Sequence, residues 1–261
     1  MSEQRVRIDR EAEGRVAVVV LTRPEKHNAL DRPMFDAIDA ATREIRALAE
    51  AGEISAVVLR GEGKSFCSGL DIQAIIGDGA DFAGSTTALL EKDAGDIANL
   101  VQRVSYHWKA VPVPVIAALH GNVLGGGLQI ALGADIRIAA PDAKLAIAEI
   151  RWGLIPDMAI TPALPKLIGI DHAKELTLTG RNVTGTEAAQ LGLVTRTAED
   201  PAAEALALAT EIASKSPLAV TRAKQLFDEV WEATDEQRLA TEERLQREIL
   251  DHVADAAAAQ G

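Results

Sequence analysis

The sequence predicts an α/β fold followed by a helical C-terminal region. Two observations carry this. Short apolar runs alternate with helix-period segments over the first 120 residues, and from about residue 171 onward nearly every segment has helical period. The run VAVVVL at 16–21 reads as a strand covered on both faces, because it is apolar throughout instead of alternating. Residues 32–51 read as a helix, with Met34, Ile38, Ile45 and Leu48 on one side. Strands are expected at 56–60, at 115–119 after the extended VPVP segment, and at 136–140. The Gly-, Asp- and Ser-rich stretch 78–85 reads as a surface loop before a helix at about 87–109. Helices are then expected at 173–179, 185–191, 201–215 and 217 to about 253, with fraying after Val253, where large apolar side chains end. The division expected is an α/β core over 1–195 and a helical region over 196–261.

Composition narrows the function. The chain has 261 residues, 48% hydrophobic and 25% charged, enough for one sizeable folded domain. A net charge of −12 repels phosphate backbones, so no nucleic-acid partner is expected. A small polyanion remains compatible, since a local basic cluster overcomes the global field within a Debye length of about 8 Å. Cys67 is the one cysteine, so no internal disulfide forms; with no leader-like segment, a cytoplasmic location is expected. No apolar run nears the roughly 20 residues that span a bilayer, so no membrane partner is expected. No His, Cys or carboxylate spacing suggests a metal site.

Two glycine-bearing turns carry the chemistry. KSFCSGLDI (64–72) follows the 56–60 strand, and HGNVLGGGLQ (120–129) follows the 115–119 strand and opens a helix to about Gly133. Glycines at a helix start let backbone amides approach a ligand and leave N–H groups unpaired at the positive end of the helix dipole. With an amide from the first turn they fit an oxyanion hole. A tight turn that lets a helix pack close to a strand explains the glycines equally well. The dinucleotide fingerprint GxGxxG is absent.

The spaced motifs IAALHGNVLGGGLQIALGADIRIA, AKLAIAEIRWGLIPD, RPEKHNALDRPMFDAI, KSFCSGLDI, LTGRNVTGTEAAQLGLV and ASKSPLAVTRAKQLF resemble those of the enoyl-CoA hydratase/isomerase (crotonase) family, from about Val16 to Phe227. The resemblance implies a crotonase-like (ClpP/crotonase) α/β fold: two stacked, roughly perpendicular sheets of repeated ββα units. It also implies a C-terminal helical region that assembles a homotrimer or a dimer of trimers. The substrate implied is an acyl-CoA thioester; coenzyme A is part of that substrate, and no separate cofactor is implied. The thioester oxygen would accept from the Leu70 and Gly126 amides.

The family's hydratases use two glutamates. The resemblance puts the second on Glu149 and the first on Gln129, which cannot take a proton. Asp157 stands where hydratases usually carry glycine and where the family's dienoyl-CoA isomerases carry aspartate, although those isomerases have aspartate at the Gln129 position. The catalytic candidates are therefore Glu149, Asp157 and Gln129. A helix N-cap is the plainer role for Asp157, packing under the site the plainer role for Gln129, and either residue is also a candidate to hold a water. Double-bond isomerisation is the leading reading; a 2-enoyl-CoA hydratase and a non-catalytic acyl-CoA-binding protein are the alternatives.

Arg23 and Lys26, in the loop after the first strand, are candidate CoA phosphate contacts, as is Lys64; Ser68 and Asp71 of the first turn are also candidate CoA-binding residues. Cys67 is expected to be a buried inert thiol and His120 a structural residue. Trp152 is expected either to wall the acyl tunnel or to pack in the core. The family's C-terminal Phe and Lys/Arg segment, which encloses the adenine, has no counterpart in DHVADAAAAQG.

Overall fold

The computed structural model describes residues 4–76 and 89–258; the loop expected at 78–85 lies outside the described residues. Among the described residues, nine strands form two sheets. The larger has the order β1 (Val6–Glu11), β2 (Val16–Leu21), β3 (Ala56–Gly61), β4 (Val115–Leu119), β6 (Ile136–Ala139) and β9 (Arg196–Thr197). β1 pairs antiparallel with β2, and every later pairing in this sheet is parallel. The smaller sheet joins β5 (Asn122–Leu124), β7 (Lys144–Ala146) and β8 (Val183–Thr184).

β2 is apolar throughout because both of its faces are covered. Ala17, Val19 and Leu21 face the main core, which includes Met34, Phe35, Ile38 and Ile45 of α1 (Arg32–Glu50). Val16, Val18 and Val20 face Ala205 and Ala209 of a helix at Pro201–Ala213. Helix α1 starts at Asp31, whose carboxylate accepts the Met34 N–H at 2.9 Å. The other α-helices lying wholly in the described residues are α2 (Ile72–Ile76), α3 (Leu100–Tyr106), α4 (Gly126–Leu132), α5 (Ile170–Thr179), α6 (Gly185–Leu191), α7 (Pro201–Ala213), α8 (Pro217–Val230) and α9 (Asp235–Ala258).

The structure differs from the sequence reading in four places. Residues 196–213, expected in the C-terminal helical region, belong to the core, because β9 extends the main sheet and α7 covers its outer face. Of the helix expected over 87–109, residues 91–98 are irregular and α3 begins only at Leu100: Asn99 caps it in a reciprocal box with Gln102, and Arg103 draws Asp93 (2.8 Å) and Asp96 of the preceding irregular stretch against it. The long helix expected from 217 breaks after Val230, where Thr234 and Gln237 exchange capping bonds and start α9. That helix continues past Val253 to Ala258, as its alanines favour. No helix among the described residues is long and apolar enough to cross a membrane.

Candidate active site

The site is assembled twice by one device: a residue trailing one parallel strand meets a residue trailing its neighbour. β3 and β4 are hydrogen-bonded neighbours running the same way, so the two glycine turns leave the sheet side by side. They are stapled together by Phe66 N–H to His120 O (2.8 Å), Cys67 N–H to Asn122 O (3.0 Å) and Leu124 N–H to Cys67 O (3.0 Å). In the smaller sheet β5 and β7 run parallel, and the residues after them, Gly125 and Glu149, also meet. Gly125 N–H donates to Ala146 O (2.9 Å), and a Cβ added at Gly125 would lie 3.1 Å from Glu149 Oε1.

This contact explains one glycine of the GGG run, and packing explains the others. Gly125 has φ +51°, in the left-handed region that favours glycine, and sits under the Glu149 carboxyl. A Cβ at Gly126 would meet Met158 Sδ at 2.7 Å, and one at Gly127 would meet Cys67 O at 2.4 Å. The packing reading of the three glycines is therefore met.

A cavity of about 420 Å³ opens at this junction. Its apolar walls include Phe35, Leu89, Val101, Leu124, Leu154 and Met158. Among the described residues, Glu149 and Asp157 are the acids of its lining, and Leu70 and Gly126 line it too. Neither the Leu70 nor the Gly126 N–H has a hydrogen-bond acceptor among the described residues. A second hollow of about 740 Å³ lies under α8, apart from both turns; there Lys224 is already paired with Asp135 and Asp228, so we place no proton chemistry in it.

Glu149 begins a 3-10 turn, Glu149–Trp152, and is half-buried. Burial pushes its carboxyl above the usual glutamate range, and the negative charge of Asp157 adds to this, against the opposing effect of Gln129 and nearby peptide N–H groups. Asp157 is the more exposed of the two, yet burial of its carboxyl raises its pKa as well. No helix follows Asp157, so it is not an N-cap. Gln129 is 1% exposed and does not line the cavity. It donates from Nε2 to Glu149 Oε1 (2.7 Å) and accepts at Oε1 from the Met158 N–H (2.8 Å), so both ends of its amide are engaged within the protein, away from the cavity.

The sequence model of the enoyl-CoA hydratase/isomerase family matches residues 11–258. The chain belongs to that family. Its fold is the crotonase fold: an enoyl-CoA hydratase structure from Bacillus anthracis superposes with a TM-score of 0.83 at 29% identity, covering 95% of this chain and 92% of that one. Among curated relatives, the short-chain-enoyl-CoA hydratase of Clostridium acetobutylicum is 35% identical over 84% of this chain and 79% of its own length. The mouse mitochondrial Δ(3,5)-Δ(2,4)-dienoyl-CoA isomerase is also 35% identical, over 82% of this chain and 65% of its own length. The protein is thus an acyl-CoA enzyme of this family, and its relatives include catalysts of both reactions.

The candidate CoA contacts of this family member divide. Arg23 is 7% exposed and pairs with Asp71 (2.8 Å) and Asp31 (3.4 Å), so its guanidinium is committed to the fold and not offered to a phosphate. Asp71 is that ion-pair partner; burial alone would push its carboxyl up, but the Ala74 N–H, Arg23 and Lys26 together hold it below the usual range. Lys26 is exposed, and Ser68 lines the cavity, so these two remain available to a ligand. Cys67 is buried, and burial raises its thiol to about 12, as expected of an inert side chain. His120 Nε2 bonds the Gly63 carbonyl at 3.0 Å. Trp152 lines the cavity while 64% exposed, and so walls it at the mouth. Sequence reasoning missed Met158, whose contribution is a peptide N–H that no side-chain pattern encodes, and Asn28, whose buried amide spans the Arg23 N–H and the carbonyls of Glu62 and Ser65.

Replacing Arg23 by Met strands the Asp71 carboxylate and takes one of two cations from Asp31, which keeps Arg5 at 2.9 Å. The expected loss is about 3 kcal/mol in urea unfolding, with KM for acyl-CoA unchanged in the folded protein. A raised KM at native stability would restore Arg23 as a ligand contact.

Proposed function

We propose that the protein shifts a double bond in an unsaturated acyl-CoA. The observation that carries this reading is that Glu149 and Asp157 line one cavity while Gln129, at the position of the hydratases' other glutamate, is turned away from it. Glu149 removes the proton on the α-carbon. The Leu70 and Gly126 N–H groups hold the oxygen on which the resulting enolate charge collects. Asp157, at a different point of the lining, delivers a proton further along the chain. Coenzyme A enters as part of the substrate, with Lys26 and Ser68 as the candidate contacts, and no separate cofactor takes part. The relative from Thermobifida fusca solved in complex with CoA supports an acyl-CoA ligand.

This relay starts with Glu149 ionised and Asp157 protonated, so kcat/KM is expected to follow a bell in pH. Both carboxyls lie above their ordinary values, so the acid limb sits above the usual glutamate midpoint of about 4.3. The decisive assay is a panel of 2-enoyl-, 3-enoyl- and 3,5-dienoyl-CoA thioesters with mass detection. Isomerisation leaves the mass unchanged and shifts the absorbance. Gain of one water on a 2-enoyl-CoA would instead establish the hydratase reading, in which Asp157 serves the water. Tight binding without turnover of any of them would establish an acyl-CoA-binding protein.

We also propose a homotrimer, or a dimer of such trimers, assembled through α8 and α9. Phe227, Leu239, Leu250 and Val253 on these helices, and Trp231 just after α8, are more than half exposed in the single chain, a density of apolar surface that a partner copy would cover.

A further inference from the structure

Gln129 is buried, off the cavity, and hydrogen-bonded at both ends of its amide, and its orientation is not free. The Met158 N–H is a donor only, so it must face the amide oxygen. The amide nitrogen then necessarily points at Glu149 Oε1, 2.7 Å away. The flipped amide would set N–H against N–H on one side and carbonyl against carboxylate on the other. The remaining Glu149 oxygen, Oε2, is also buried, and it has no hydrogen-bond partner among the described residues.

We propose that Gln129 is a positioning residue: it clamps Glu149 Oε1 as a permanent acceptor and leaves Oε2 as the one oxygen that takes and returns the proton. A proton on Oε1 would oppose O–H to the amide N–H, so the neutral acid carries its hydrogen on Oε2. An N–H donor also favours the ionised form, and so restrains the rise that burial imposes on this carboxyl. The Met158 N–H belongs to the peptide that leaves Asp157, so one glutamine side chain ties Glu149 to the backbone bearing the second carboxylate. A glutamate at 129 could not serve in its place without sharing a proton with Glu149; glutamine supplies the same shape with a donor of fixed polarity.

The inference rests on Glu149 being the base, but it can be tested without turnover. Protein labelled with 13C at the glutamate carboxyl is titrated by NMR, with the Glu149 signal assigned by its loss in Glu149→Gln. In Gln129→Met the Glu149 midpoint is expected to move up by about one pH unit, a tenfold gain in proton affinity, as the donor to the charged form disappears. In the same variant kcat is expected to fall with KM little changed, because the glutamine touches Glu149 and not the substrate. Gln129→Glu keeps the size of the side chain and an acceptor for the Met158 N–H, and carries the test if the methionine variant does not fold. There the two carboxyls, in contact, are expected to titrate as a pair, with one midpoint below and one above that of the native Glu149. An unmoved midpoint in Gln129→Met, or two independent ordinary transitions in Gln129→Glu, overturns the proposal. A shifted titration combined with full activity in Glu149→Gln would keep the clamp and remove the catalytic reading of Glu149, so the two failures are distinguishable.

Discussion

A Glu149→Gln variant is expected to lose turnover by about 10⁴-fold, the upper end for removal of a general base, while still binding acyl-CoA. Glutamine matches glutamate in size, and its carbonyl still accepts the Gln129 N–H now given to Oε1 at 2.7 Å. The cavity walls and the unpaired N–H groups of Leu70 and Gly126 are untouched, so the contacts that hold a thioester persist. What disappears is the proton acceptor, and no neighbour replaces it. Gln129 has no basic atom, and Asp157 stands elsewhere in the lining as the other partner of the relay. Steady-state kinetics and calorimetric titration with a saturated acyl-CoA read the two effects separately. Retention of activity within tenfold of native would end the assignment of Glu149 as base, and loss of binding in step with activity would make its role structural.

The strands that build the site could be read from sequence because of how they are buried. β2 and β4 are covered on both faces and appear as unbroken apolar runs, and β3 is apolar up to Arg60, so the bounds of all three were visible to within a residue. β5 and β7, which bring Gly125 beside Glu149, have three residues each, too few for any periodicity to show. Glu149 was legible through its motif, and so were the two turns whose N–H groups are left unpaired. The state of Gln129 was not, because it depends on a peptide N–H 29 residues further along the chain. Arg23 misled for a related reason: a cation in a loop looks available until the fold brings Asp31 and Asp71 around it. The break before α9 was written locally in TDEQ, a capping-box pattern, but the helical period on either side masks it.

Asp157→Asn is expected to separate the two halves of the reaction. If Glu149 works at the α-carbon and Asp157 further along the acyl chain, the asparagine variant still forms the enolate but cannot complete the shift. In D₂O it is therefore expected to exchange the α-proton of substrate at near-native rate, while double-bond migration falls by about 10²–10⁴-fold. The relay starts with Asp157 neutral, so the equally uncharged asparagine is expected to leave the acid limb of the exchange reaction, set by Glu149, in place. Mere disturbance of the cavity mouth by asparagine would depress exchange and migration together. Migration at the native rate would remove Asp157 from the chemistry altogether, and a double-bond shift would then require Glu149 to serve both carbons alone.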